Sequence, residues 1–207
     1  MQVSSSTAPH IRVLKKDKLL FAAIKEQETY VLASKKKVYL SLIASIISQQ
    51  LSTKVAAVIY ARFLALFGNK PPTINQILVT EIDELRSIGL SNAKANYVNN
   101  VCQFFKDNAL TDARFDKMDD EAVIDLLTQI KGVGRWTAEM ILMFTLGRED
   151  VFALDDLGIQ QGMAKIYDLD SSNKKQLKTE MSLIANRWKP YRTYACRYIW
   201  NYKDFPE

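Results

Sequence analysis

Between Thr73 and Lys189 the chain carries no proline, and its seven glycines fall mainly where a helical run would end. Proline breaks a helix interior because it lacks the amide donor and its ring collides with the preceding turn. A long proline-free stretch punctuated by glycine therefore permits helix after helix, and the apolar periodicity follows that pattern. Val55, Ile59, Phe63 and Phe67 recur every four residues behind Ser52, an expected N-cap, and Gly68 with Pro71-Pro72 stops the run. Thr73-x-x-Gln76 and Thr80-x-x-Asp83 predict two short capped helices ending at Gly89, and Ser91 opens another with Val98, Val101 and Phe105 on one face. Asp119 or Asp120 caps the run carrying Val123, Leu126, Leu127 and Ile130. Leu177, Met181, Ile184 and Trp188 form a further stripe, and Pro190 is expected in the first turn of a helix carrying Tyr194, Tyr198 and Tyr202. No long alternating run marks a strand. The pattern predicts an all-α protein of about ten helices, without repeats, low-complexity tracts or a clear linker.

Composition limits the function classes. With 207 residues and 48% hydrophobic content, the chain can bury a core as one domain or as two small lobes sharing a cleft. A net charge of +5 fits a polyanionic partner. The clusters Lys35-Lys36-Lys37 and Lys174-Lys175 read either as solvated faces or as phosphate contacts. Cys102 and Cys196 alone supply neither a four-thiolate cluster nor a zinc knuckle. The single histidine, His10, lies in a polar N-terminal segment, which argues against Ser-His-Asp chemistry and histidine metal sites. No run approaches the roughly 20 apolar residues that span a bilayer, and Met1–Ser6 lacks the apolar core of a secretory signal. The expectation is a soluble, intracellular, thiol-reduced protein without a membrane partner: cytoplasmic or nucleoid-associated in a bacterium, nuclear in a eukaryote.

The chemistry concentrates in Leu127-Thr128-Gln129-Ile130-Lys131-Gly132-Val133-Gly134-Arg135-Trp136-Thr137-Ala138, followed by Asp155-Asp156. Two glycines one residue apart, between two helical segments, allow a turn tight enough to expose successive N–H groups at a helix start, where a phosphate is attracted. Each part also has a plain reading. Gly marks any corner that needs positive φ, and an Asp pair before an apolar run caps a helix. Together, a phosphate grip and a nearby carboxylate suggest chemistry on a nucleic acid.

The segment Ile130–Ala138 resembles the helix-hairpin-helix of the DNA glycosylase superfamily named for that hairpin, a Gly/Pro-rich loop and a catalytic aspartate. Asp150-Val151-Phe152-Ala153-Leu154-Asp155-Asp156-Leu157-Gly158 is similar to its aspartate loop. The Arg135-Trp136-Thr137-Ala138 signature, Ile47-Ser48-Gln49-Gln50-Leu51-Ser52 and the tail Trp188-Lys189-Pro190-Tyr191-Arg192-Thr193-Tyr194 resemble the alkylbase branch, DNA-3-methyladenine glycosylase II. The likeness spans Val38 to Tyr202.

The resemblance implies two helical lobes with the hairpin and a cleft between them. Residues 38–134 would form one lobe. Residues 135–207 would form the other, with the N-terminal segment 1–37 packed on it. It implies an enzyme that flips an alkylated purine out of double-stranded DNA and hydrolyses its N-glycosidic bond, leaving an abasic site. Asp156 takes the place of the catalytic aspartate, stabilising an oxocarbenium-like sugar and orienting water. Asp155 is then a cap or a supporting group. Trp136 and Tyr191 align with pocket-lining aromatics. Met140 departs from the better-known relatives, which carry an aromatic there, and leaves the base preference open. Trp136 stands where strand-cutting members carry a Schiff-base lysine, so the chain is expected to be monofunctional.

Gln49, Gln50, Leu51 and Ser52 match the segment that plugs the vacated stack. Gln50 is the aligned residue, Leu51 and Ser52 are alternatives, and a simple turn capped by Ser52 is the competing reading. Lys131, Gly132, Val133, Gly134 and Arg135 are expected to hold DNA phosphate, with φ > 0 anticipated at Gly134. The resemblance implies a monomer, no required cofactor or metal, and at most a monovalent cation at the hairpin. With some forty residues ahead of the shared core, the chain reads as a compact version without the N-terminal sheet domain of the best-known bacterial relatives. Two other classes stay open: a non-catalytic hairpin DNA-binding protein, and a glycosylase for neutral deaminated or oxidised bases.

Overall fold

The computed structural model describes residues 8–32 and 37–204, with side chains through Tyr202. Among them are thirteen α-helices, one 3-10 turn and no strand. The chain divides into two compact units, Ser34–Leu146 and a discontinuous one joining Met1–Ala33 to Gly147–Glu207. Lys35 and Lys36 of the first basic cluster, and Met1–Ser6, lie outside the described residues.

The continuous unit contains α3 (Val38–Ser48), α4 (Thr53–Ala65), α5 (Ile74–Leu78), α6 (Ile82–Ser87), α7 (Asn92–Asp107), α8 (Asp112–Phe115), α9 (Asp120–Leu127) and α10 (Arg135–Phe144). Its longest helix, α7, packs against α3, α5 and α6, burying Val98, Val101 and Phe105 with Leu42, Ile43 and Ile46. The helix starts follow the local chemistry. Ser52, Ser91 and Asp119 each accept the amide of the residue three positions on, and Thr73 with Gln76 forms a reciprocal capping box. Thr80 does not cap α6. Its hydroxyl donates back to the Gln76 carbonyl at 2.9 Å, and Glu81 becomes an N-cap without a side-chain bond. On α4, Ile59 and Phe63 are buried, whereas Val55 at the head of the same stripe is 45% exposed.

The expected division after Gly134 moves to 146/147, because α10 packs on α9 and α3. The hairpin and the whole of its second helix thus belong to one unit.

The discontinuous unit contains α1 (Pro9–Leu14), α2 (Lys18–Ile24), α11 (Leu157–Tyr167), α12 (Lys174–Ala185), a 3-10 turn (Asn186–Trp188) and α13 (Arg192–Asp204). Helix α2 packs against α11 and α13. Buried Asp17 fastens the two chain segments: it caps α2 through the Leu20 amide and accepts from Tyr167 Oη at 2.9 Å and Trp188 Nε1 at 3.1 Å. A buried carboxylate persists when donors satisfy it, as here. The polar N-terminal segment nevertheless buries His10. Its ring is buried and stacks on Tyr194 at 3.9 Å, and burial lowers its pKa. Pro190 lies ahead of α13 rather than in its first turn; the Tyr191 amide bonds to the Trp188 carbonyl, and the helix begins at Arg192.

Candidate functional site

The hairpin between α9 and α10 is closed by Val133, whose amide donates to the Ile130 carbonyl at 2.9 Å and whose side chain is buried. Val133 therefore contributes to the core, and its N–H is used within the turn. Gly132 has φ +104°, and a Cβ built there would sit 2.4 Å from Tyr97 Cγ on α7. Two separate constraints, backbone conformation and ring contact, thus require glycine at that position. Gly134 differs from the expectation of positive φ. It is extended at φ −97°, ψ 172°, and a Cβ there would meet nothing within 4 Å. It caps α10 with no side-chain bond to the first turn, and the space beside it is open. Lys131 is exposed. Arg135 forms a forked pair with Glu121, at 2.7 and 3.1 Å, and reaches Glu139 at 3.2 Å. That hydrogen bond holds the Glu121 carboxyl below its usual range. The guanidinium is thus engaged with protein carboxylates although its side chain is half exposed, and Lys131 is exposed beside it.

The segment proposed as plug lies in the same unit. Gln50 has φ +57° and is exposed, as is Leu51, at the corner between α3 and α4. Ser52 is occupied as the cap of α4. Gln49 turns the other way and donates from Nε2 to the Gly132 carbonyl at 3.2 Å, tying the corner to the hairpin. Three residues on one face of α7, spaced by three, support both pieces. Lys94 Nζ donates to the Ile47 and Gln49 carbonyls at 2.9 and 2.7 Å. The Tyr97 ring fills the space beside Gly132, and Asn100 Nδ2 donates to the Lys131 carbonyl at 3.3 Å. Lys94 satisfies the carbonyls left open where α3 ends, and desolvation lowers its pKa. Sequence reasoning missed these three residues; their i, i+3, i+6 spacing on a helix was the available signal. A second signal was also present: from Thr29 to Thr80 there is no Asp or Glu, but there are six lysines and arginines. The corner therefore lies in a stretch with no local acidic charge to repel a polyanion.

On α10, Trp136 is 44% exposed, Met140 follows one turn later and is half-buried, and Phe144, another turn on, is 38% exposed. The three lie at i, i+4, i+8 and form one apolar stripe.

In the discontinuous unit, Asp156 caps α11. Its Oδ1 accepts from the Ile159 amide at 2.8 Å and from Trp200 Nε1, on α13, at 2.7 Å. Asp155 instead pairs with Lys178 on α12 at 2.6 Å, with both partners substantially exposed. The loop leading to them is fixed on α13. Arg192 grips Asp150 through Nε at 2.7 Å and NH2 at 3.0 Å, and the Val151 amide donates to Thr193 Oγ1 at 3.0 Å. Tyr191 is half-buried beside His10 and Tyr194, edge-on to both rings. Among the described residues no group of three or more His, Cys, Asp or Glu could hold a metal ion, and no helix is long and apolar enough to cross a membrane.

The chain has clear relatives. It is 34% identical over 168 residues to DNA-3-methyladenine glycosylase 1 of Schizosaccharomyces pombe, covering 80% of this chain and 72% of that one. The crystal structure of a DNA-3-methyladenine glycosidase from Bacillus halodurans superposes with a TM-score of 0.84 at 34% identity, covering 98% of this chain and 93% of the other. A 3-methyladenine DNA glycosylase from Schizosaccharomyces pombe, in complex with abasic DNA, superposes with a TM-score of 0.77 at 29% identity, covering 98% and 95%. The family profile that matches residues 43–187 takes in the hairpin, the corner at residues 49–52 and the pair Asp155-Asp156. The chain belongs to the HhH-GPD superfamily of base excision DNA repair proteins.

Proposed function

We infer that this protein is a monofunctional DNA glycosylase that removes alkylated purines of the 3-methyladenine type from double-stranded DNA. The observation that carries this reading is the carboxylate of Asp156, held by the Ile159 amide and the Trp200 indole at the start of α11, in a chain whose relatives are named for that activity.

Cleavage of the glycosidic bond develops positive charge on the sugar, and a fixed carboxylate stabilises that charge without having to reorganise as it forms. The bonding electrons leave with the base. A cationic alkylpurine departs as a neutral molecule and needs no strong general acid. Water then adds to the sugar carbon, losing a proton, and an abasic site remains. The indole face of Trp136 offers a π surface that attracts a cationic base, and Met140 and Phe144 extend the α10 stripe. An indole at position 136 cannot form a Schiff base, so the strand stays intact.

The hairpin holds a phosphate through the first amides of α10 and through Lys131, and Gln50 and Leu51 fill the stack that the base has left. No cofactor enters this scheme. The Lys131 and Gly132 carbonyls each accept one side-chain amide and have a second lone pair, an all-oxygen set suited to a monovalent cation rather than a transition metal. The protein acts as a monomer.

Duplexes carrying single defined lesions, incubated with the protein and then split with alkali, test the reading. Cleavage only after alkali, and only with the alkylated purine, is expected. Cleavage of uracil or oxidised-purine duplexes instead would assign a neutral-base enzyme, and binding without any abasic product would assign a non-catalytic protein.

A further inference from the structure

The close approach of α11 and α13 is built from glycine. A Cβ at Gly162 would lie 2.4 Å from Ile199 Cγ2 and 3.3 Å from the Ile199 carbonyl oxygen. Only a residue without a side chain lets the two helices meet at that distance. One turn earlier on the same face, a Cβ at Gly158 would lie 3.0 Å from Trp200 Cδ1, 3.3 Å from Trp200 Nε1 and 3.1 Å from Asp156 Oδ1. Gly158 and Gly162 are thus spaced by four residues against the successive pair Ile199 and Trp200. Gly162 lies in the interior of α11, where glycine is disfavoured by roughly 1 kcal/mol relative to alanine, and Gly158 lies in its first turn; both are explained by what they admit. At Gly158 that is an indole lying against the helix start, with its N–H 2.7 Å from Asp156 Oδ1.

We propose that Trp200 is a positioning residue for base excision: its indole N–H, admitted by Gly158 and Gly162, fixes the Asp156 carboxylate in its reactive orientation. The proposal rests on Asp156 being the catalytic carboxylate. The Ile159 amide supplies one donor to Oδ1, as in any capped helix. The indole N–H arrives from another helix and ties the same oxygen to α13 as well as to the start of α11. A charge-assisted bond of this length is among the stronger ones available to a side chain. The indole is suited to the task because it only donates and its ring is rigid, lying against the α11 backbone at Gly158.

Single-turnover excision from an alkylated duplex, measured at saturating enzyme beside affinity for a duplex with a stable abasic analogue, tests this. Trp200→Phe keeps an aromatic ring and removes the N–H. The excision rate should fall by about 10- to 100-fold, with affinity for the abasic duplex unchanged. In an Asp156→Asn background the same substitution should cost nothing further, because the group it positions has lost its charge. Gly158→Ala provides an independent arm should Trp200→Phe fold poorly. It keeps the indole N–H and presses on the ring and on Oδ1, so the rate should fall by about tenfold, with thermal unfolding measured on the same protein. A merely structural role for Trp200 would lower stability and rate together.

Wild-type excision in folded Trp200→Phe, or additive losses in the double variant, would overturn the proposal while leaving the assignment of Asp156 intact. Full activity of Asp156→Asn would instead remove the assignment on which it rests.

Discussion

Helix α10 begins at Gly134, which offers no side chain to the first turn, whereas α11 begins at Asp156, whose carboxylate accepts the Ile159 amide at 2.8 Å. Both helix starts carry the partial positive charge of unsatisfied amides. One receives no side-chain cap from its own first residue, and the other is met by an anion of the protein's own. The surroundings follow the same division. The α10 start lies beside exposed Lys131 and a corner in an acid-free stretch of sequence. The α11 start is closed by Trp200, and its neighbour Asp155 is paired with Lys178. An uncapped helix start suits a ligand that comes and goes, whereas a capped one suits a charge that must not move while a bond breaks.

The comparison is broken most severely at the capped start. Asparagine caps a helix about as well as aspartate, so Asp156→Asn should keep the fold and lose excision by about 100- to 1,000-fold, measured in single turnover on an alkylated duplex.

The next largest effect is at the hairpin. Gly132→Ala introduces a Cβ against the Tyr97 ring and forces a side chain into positive φ, at a cost of about 1–3 kcal/mol for the backbone alone. Thermal unfolding should come down by roughly 5 °C, and affinity should fall for damaged and undamaged duplex alike.

Lys94→Met tests whether α7 holds the plug corner. It leaves the Ile47 and Gln49 carbonyls without their ammonium donor, which costs about 1–3 kcal/mol. Excision should drop by about tenfold when the lesion sits in a stable pair and by less in a mismatch, where flipping is easier. Gln50→Ala should share that pattern, and equal losses in both contexts would detach the corner from base flipping.

The smallest effects sharpen the division between neighbours. Lys131→Ala should weaken both duplexes similarly and reduce the salt slope by about 1, as read from affinities across a salt series. Asp155→Asn removes only a solvent-exposed pair, worth about 0–1 kcal/mol, and should leave excision within about twofold of wild type.

What the sequence makes legible is local. Ser52, Thr73 with Gln76, Ser91 and Asp119 mark helix starts because a cap is a contact between residues three apart. The hairpin and the acidic pair are legible for the same reason. Thr80 misleads because a threonine hydroxyl can bond backwards to a carbonyl as readily as forwards to an amide. Helices of four to seven residues such as α1, α2 and α8 are too short to show a full apolar period. Of the two hairpin glycines, spacing alone does not say which one needs positive φ, and the other constraint on Gly132, the Tyr97 ring, comes from α7. The same holds for the Asp156–Trp200 bond, whose partners stand 44 residues apart. The burial of His10 depends on Tyr194, which comes from the far end of the chain.

One paired measurement bears most directly on the claim that the two helix starts serve two different anions: duplex affinity and saturated single-turnover excision rate, determined together for Asp156→Asn and Gly134→Val. The extended backbone and open space at Gly134 accept valine, whose bulk covers the first amides of α10 without straining the turn. A crossed result is expected. Asp156→Asn should bind like wild type and excise poorly, while Gly134→Val should bind damaged and undamaged duplex several-fold more weakly and excise at the wild-type rate once saturated. A folded Gly134→Val protein with wild-type affinity at every salt concentration, or an Asp156→Asn protein with wild-type excision, would contradict it.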